Sequence, residues 1–180
     1  MHERCNVNQL FIHVRSINCF VFNIFLLFPL DVTPTVNPQL TKFCTNLTGI
    51  TQDMVTNQPA LAEVLNRFHA WLKKENLLDR SIRSIFVTCG DWDLYTMLRS
   101  QCDYFKLDRP EYFNHWINIK KSFHKATGKF ARNGMMGMLQ DLGIKHTGRH
   151  HSGIDDCQNI AEILKGLVQR GYVFEENRKK

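Results

Sequence analysis

A chain of 180 residues is about one domain's worth of polypeptide, long enough to bury a sizeable core. An apolar fraction of 43% beside 22% charged residues is ordinary for a globular protein and excludes a disordered or fibrous chain. The net charge of +6 suits a polyanionic partner without identifying one, and six cysteines with no CxxC pair and no zinc-finger spacing point to reduced, buried thiols of an intracellular protein.

Residues 1–30 differ in character from the rest. The run INCFVFNIFLLFPL, at 17–30, is densely apolar, yet shorter than the roughly 20 residues that a membrane span needs. Arg4 and Arg15 lie upstream, but Pro29, Leu30 and Asp31 follow where a signal peptide would place small residues. The bias toward Phe, Ile, Asn and Leu is also that of translated A+T-rich noncoding DNA. Residues 1–30 are therefore expected to be an atypical leader from a misassigned first exon. A buried strand is the second choice and membrane attachment the last.

From Asp31 the composition becomes that of a folded domain, expected to span 31–174. Residues 39–46 read as a short helix with Leu40, Phe43 and Leu47 inward, stopped by Gly49. Pro59 suits a first helical position, and Leu61, Val64, Leu65, Phe68, Trp71 and Leu72 carry an amphipathic helix to about Leu77. Residues 84–89 read as a strand, 93–101 as a helix with Leu94, Met97 and Leu98 inward, and 116–119 as a second strand feeding a basic helix. Met135, Met138, Leu139 and Leu142 mark a further helix, whose methionines are core packing. Tyr172 to Phe174 is a candidate edge strand, and 175–180 a charged, frayed tail. Strands alternating with longer helices give an α/β domain.

The chemistry concentrates in RHHSGIDDCQNIAEIL, at 149–164. Apolar residues recur at helical spacing after Asp156, so Asp155 and Asp156 fall in a first turn, where the positive end of the backbone favours a carboxylate. His151 stands five residues earlier, beside a flexible Ser152-Gly153 turn. A fixed carboxylate beside a mobile imidazole suits metal-dependent hydrolysis, whereas a plain acidic cap is the bland alternative. A second stretch, FVTCGDWDLY, ends an apolar run in a small-residue turn and delivers Asp93 to another helix start. Asp91 reads as the cap of that helix. Between 116 and 150, seven lysines and arginines face the lone acidic Asp141, which is either a phosphate-backbone groove or a solvated face. Arg149, beside His151, is the best phosphate candidate. His124 and His150 have no spacing that supports a zinc site.

The phrases TGIT (48–51), FVTCGDWD (86–93) and GRHHSGIDD (148–156) closely resemble the DEDDh 3′→5′ exonucleases, most nearly the branch that degrades histone mRNA and modulates RNA interference. The resemblance implies a ribonuclease-H-like α/β fold, here truncated at the N-terminal strands. It also implies two divalent ions, Mg2+ or Mn2+, and hydrolysis of RNA at single-stranded or stem-loop-flanking 3′ ends to mononucleotides. Transferred by motif, Asp93 and Asp156 are metal ligands and His151 is the general base. Trp92 stacks on the terminal base or anchors the core, and the Thr48, Gly49, Ile50 loop lies against the terminal nucleotide or merely caps a helix. An intracellular setting follows, in cytoplasm or nucleus, without stable membrane association. One departure stands out. The family's first motif, Asp-x-Glu on the opening strand, has no counterpart, because Glu3 is the only acidic residue before Asp31. Two of four metal-binding carboxylates are thus missing, and the alternative is a catalytically inactive RNA-binding or regulatory remnant.

Overall fold

The computed structural model describes residues 12–16, 31–79, 81 and 83–178, so most of the apolar leader lies outside the described residues. Its centre is a four-stranded sheet in the order β1 (Ile12–Ser16), β2 (Arg83–Thr88), β3 (His115–Asn118) and β4 (Asn177–Arg178). β2 and β3 are parallel, with Phe86 opposite Trp116 and Val87 opposite Ile117, whereas β1 and β4 run antiparallel on the two edges.

Alternation along the strands explains the layers. Successive strand residues point to opposite faces. Phe86 and Trp116 therefore join one buried cluster and Val87 and Ile117 the other. The first cluster is closed by Phe68 and Leu72 of α3 (Leu61–Lys74), with Leu94 and the fully buried Phe113. The second is closed by Phe123 of α5 (Ile119–Thr127), Met138 and Leu139 of α6 (Gly134–Leu142), and Ile163 and Leu167 of α7 (Gly153–Gln169). Helices on both faces of a sheet with a parallel centre make the α/β architecture expected from the sequence. The crossover between β2 and β3 runs through a π-helical segment, Trp92–Leu98, then α4 (Arg99–Phe105) and a 3-10 turn, Glu111–Asn114.

Several sequence expectations shift. The first two helices are α1 (Lys42–Thr48) and α2 (Gln52–Val55). α1 starts three residues later than the pattern suggested, because the Thr41 hydroxyl caps it by accepting from Cys44 N–H. That rotation turns Phe43 outward, 65% exposed, and puts Cys44 and Thr48 inward. Pro59 precedes the cap Ala60 of α3 and is not a first helical residue. Tyr172 and Phe174 form no strand; their rings pack partly buried against the core beside α7. The pairing falls to β4, inside the segment read as a frayed tail, where Glu175 engages Lys125 and Glu176 engages His115. Cys89, Cys102 and Cys157 are free thiols, whereas Cys44, expected to be reduced, is in a disulfide.

Candidate metal and nucleic-acid site

Parallel β2 and β3 deliver their C-terminal ends to one side of the sheet, where open α/β sheets place ligands. After Thr88, the chain turns through Gly90 at φ 127°, a conformation that a side chain would strain, and sets Asp91 down at the mouth of the crossover. Asp91 is not the simple cap read from the sequence. Its carboxylate accepts from Trp116 Nε1 at 3.0 Å, Asn118 Nδ2 at 2.9 Å and Lys121 Nζ at 2.7 Å, while no helix N–H uses it. Burial works against this charge, but the bonds from Lys121, Asn118 and Trp116 outweigh it and bring the pKa down to about 2. Asp91 therefore ties the β2 exit to β3 and fixes the start of the next segment.

That segment carries Trp92 and Asp93. π-helical turns are uncommon and gather at functional sites. Trp92 is 44% exposed, so it is not the core anchor, a place taken by Trp116 at 1%. Asp93 is half-buried, and burial raises its pKa against the pull of its own backbone N–H and of Lys120. Lys120 lies in the first turn of α5, just past β3; its ammonium is near Gly90 and lowers the Cys89 thiol as well as Asp93.

Asp156 arrives from the opposite direction, in the first turn of α7 as the spacing indicated. Its Oδ1 accepts from His151 N–H at 3.2 Å and meets His150 Nδ1 at the same distance. His151 has a left-handed backbone at φ 69°, costly for a residue with a side chain, and that N–H bond helps hold it. Its exposed ring stacks on His150, centroids 3.8 Å apart.

Electrostatics link the two acidic residues. Cys89, on the β2 exit, is pushed up to about 11 by burial, with Lys120 opposing and both Asp93 and Asp156 adding to the rise. Cys157 on α7 rises to about 12 through burial, then Asp156, then Asp93. Each thiol is thus raised by both carboxylates, which are far apart in sequence.

The loop readings also come together. Gly49 ends α1 at φ 82° with its N–H on Thr45 O, and Thr48 is buried, its hydroxyl donating to Cys44 O at 2.9 Å. The Arg149 guanidinium lies against Gly49, leaving no room for a Cβ, and donates to Asn46 O at 2.5 Å. Asp155, passed over as a ligand, accepts Arg149 N–H at 3.0 Å and so holds the loop before α7. Arg149 thereby joins the 48–50 loop to the Asp156 region. Among the basic residues, Lys120, Lys121, Lys125 and Arg132 line one pocket with His124 and Phe130, whose rings stack at 4.2 Å. Part of that charge is paired, Lys121 with Asp91 and Lys125 with Glu175.

Sequence reasoning missed three things here. Asp91 organises the β2 exit, the Lys120 charge acts on Asp93, and His146 stands with His150 beside Asp156. The four-residue spacing of the two histidines was the one available signal for the last.

Asp93 thus opens the crossover after β2 with the exposed Trp92 beside it, and Asp156 opens α7. The sequence model of the exonuclease (RNase_T) family matches residues 27–164, and the chain belongs to that family. The chain is 53% identical over 152 residues to human ERI1 exoribonuclease 3, covering 84% of this chain and 45% of that protein. It is 37% identical over 151 residues to human 3′-5′ exoribonuclease 1, covering 82% and 42%. It thus spans less than half the length of these relatives. Among solved structures, the nuclease domain of the DEDDh member 3′hExo bound to rAMP superposes with a TM-score of 0.83 at 34% identity, covering 88% of this chain and 79% of that one. A 3′-exonuclease recognising the histone mRNA stem-loop superposes at 0.78 and 30% identity, covering 88% and 74%. The fold is that of the DEDDh exonucleases, the ribonuclease-H-like fold expected from the motifs. Among the described residues no helix is long and apolar enough to cross a membrane.

Proposed function

We propose that this chain acts on RNA 3′ ends as a metal-dependent 3′→5′ exoribonuclease, with Asp93 and Asp156 as metal ligands and His151 as general base. The observation that carries the reading is the exonuclease-family match over residues 27–164 together with Asp93 at the start of the crossover after β2 and Asp156 in the first turn of α7, two hard oxygen donors of the kind Mg2+ or Mn2+ takes. Bound divalent ions would supply charge for the attacking water and the leaving oxygen. The protein's own residues supply the rest. Asp93 gives a half-buried carboxylate on the crossover and Asp156 a second on α7. The exposed ring of His151 would serve as the general base toward water. Trp92 offers a face for a terminal base. The Thr48, Gly49, Ile50 loop, tied to Arg149, forms a wall for the last nucleotide, while Lys120, Lys121 and Arg132 border a path for upstream phosphates. Single-stranded 3′ ends and stem-loop flanks are the substrates in view, in an intracellular setting.

A second reading has its own observation. Glu3 is the only acidic residue before Asp31, and the strand beside β2, Ile-His-Val-Arg-Ser, holds no carboxylate. Two carboxylates are a thin set for two cations, and a chain that binds RNA without turnover would follow. Incubating 3′-labelled RNA with Mg2+ or Mn2+ separates the two. Labelled mononucleotides support the enzyme, and salt-sensitive binding without release supports the remnant.

A further inference from the structure

We propose that His146, His150 and Asp156 form a site for a transition-metal dication of the zinc type, which shares Asp156 with the proposed catalytic pair but does not use Asp93. Each of the three residues offers one ligand atom, and these atoms all lie within 4.8 Å of one another. The donor chemistry selects the metal. Magnesium prefers oxygen and its own water, whereas two imidazoles and a carboxylate suit zinc and its neighbours, with a fourth position left to water.

Two further observations favour a ligand there. His146 Nε2 is buried and has no hydrogen-bond partner among the described residues. A buried imidazole nitrogen without a partner is a group that a metal would satisfy. The loop is also built in advance. Asn159, 1% exposed on α7, clamps Thr147 from both sides, donating to its carbonyl at 2.8 Å and accepting its N–H at 3.0 Å. Arg149 N–H is held by Asp155 at 3.0 Å and His151 N–H by Asp156 at 3.2 Å. The segment bearing both histidines is therefore fixed to the first two turns of the helix that bears the aspartate. Tetrahedral zinc places its donors roughly 3.3 Å apart, given bonds of about 2 Å. The His150 Nδ1 to Asp156 Oδ1 separation of 3.2 Å already meets that spacing.

The consequence for catalysis rests on the proposed function: a cation held here takes Asp156 away from magnesium, so zinc opposes RNA turnover. The binding itself does not depend on turnover. The test is calorimetric titration of the untagged, chelator-stripped chain with zinc chloride, without RNA. One zinc per chain is expected, weakened at least about 10-fold in His150→Ala and in His146→Ala and unchanged in Asp93→Asn. His150 is exposed, so His150→Ala decides if His146→Ala lowers the melting temperature. Cobalt, added in place of zinc, should give visible bands that His150→Ala removes. No uptake of zinc, uptake indifferent to His150→Ala, or uptake lost equally in Asp93→Asn would overturn the site. Absence of RNA cleavage with zinc uptake intact would count against the nuclease reading alone.

Discussion

Single residues divide into those that build the site and those that face outward from it. Asp91 is a builder: it gathers a buried indole N–H, a buried amide and a lysine across 25 to 30 positions of sequence. Asp91→Ala strands Trp116 Nε1 and Asn118, and the unmet donors should cost about 1–3 kcal/mol of stability, read as a shift in the urea midpoint at constant slope. An unchanged midpoint would mean that the three bonds are not made in solution. Trp92 is the opposite case. It is largely exposed, so Trp92→Ala should leave thermal stability nearly unaltered while weakening single-stranded RNA binding by about 1–3 kcal/mol. A large loss of melting temperature with intact RNA affinity would return Trp92 to the role of core anchor.

At the scale of elements, α7 decides both fold and site. Its inner stripe includes Ile163 and Leu167, both fully buried, while its first turn presents Asp155 and Asp156. Leu167→Ala should cost about 2–5 kcal/mol, since the sheet and α5 cannot collapse fully onto the gap; a melting curve within a degree of the native one would contradict that packing. The sequence made α7 readable because its cues are local: apolar residues at helical spacing behind an acidic first turn. The Met135–Leu142 stripe was readable for the same reason, and all four of its apolar markers are buried. What local cues could not carry was non-local pairing. Asp91 looked like a cap because nothing nearby in sequence announces Trp116, Asn118 and Lys121. Phe43 looked inward because Thr41, and not an earlier residue, caps α1. Tyr172 and Phe174 alternate as a strand would, with Val173 81% exposed between them, yet burial of the two rings beside α7 wins over pairing. Motif spacing singles out Asp93, Asp156 and His151 as candidates. Their arrangement in space, with His150 as the imidazole touching Asp156, was not legible there.

The molecule as a whole combines a two-sided core with a net positive charge and a basic pocket on its surface. One flank of that core contains Tyr112, stacked on His69 and bonded to it at 3.2 Å. Burial pushes its phenol from the ordinary 10.0 up to about 12. The unfolded chain releases this proton near pH 10 and the folded chain holds it, so this contribution is fully present below pH 10 and lost as pH rises toward 12. Urea midpoints across that window should therefore fall more steeply for the native chain than for Tyr112→Phe; parallel curves would contradict the assignment. The net charge of +6 predicts RNA affinity that declines with added salt whether or not turnover occurs. Turnover is the sharper question, because Asp93 and Asp156 either suffice to bring a cation to an RNA 3′ end or do not. The most direct measurement is release of mononucleotide from 3′-labelled RNA by this chain and by Asp156→Asn, in Mg2+ or Mn2+ and again with chelator. Release by the native chain is expected, abolished by chelation and by the substitution; release that persists in Asp156→Asn would contradict the site.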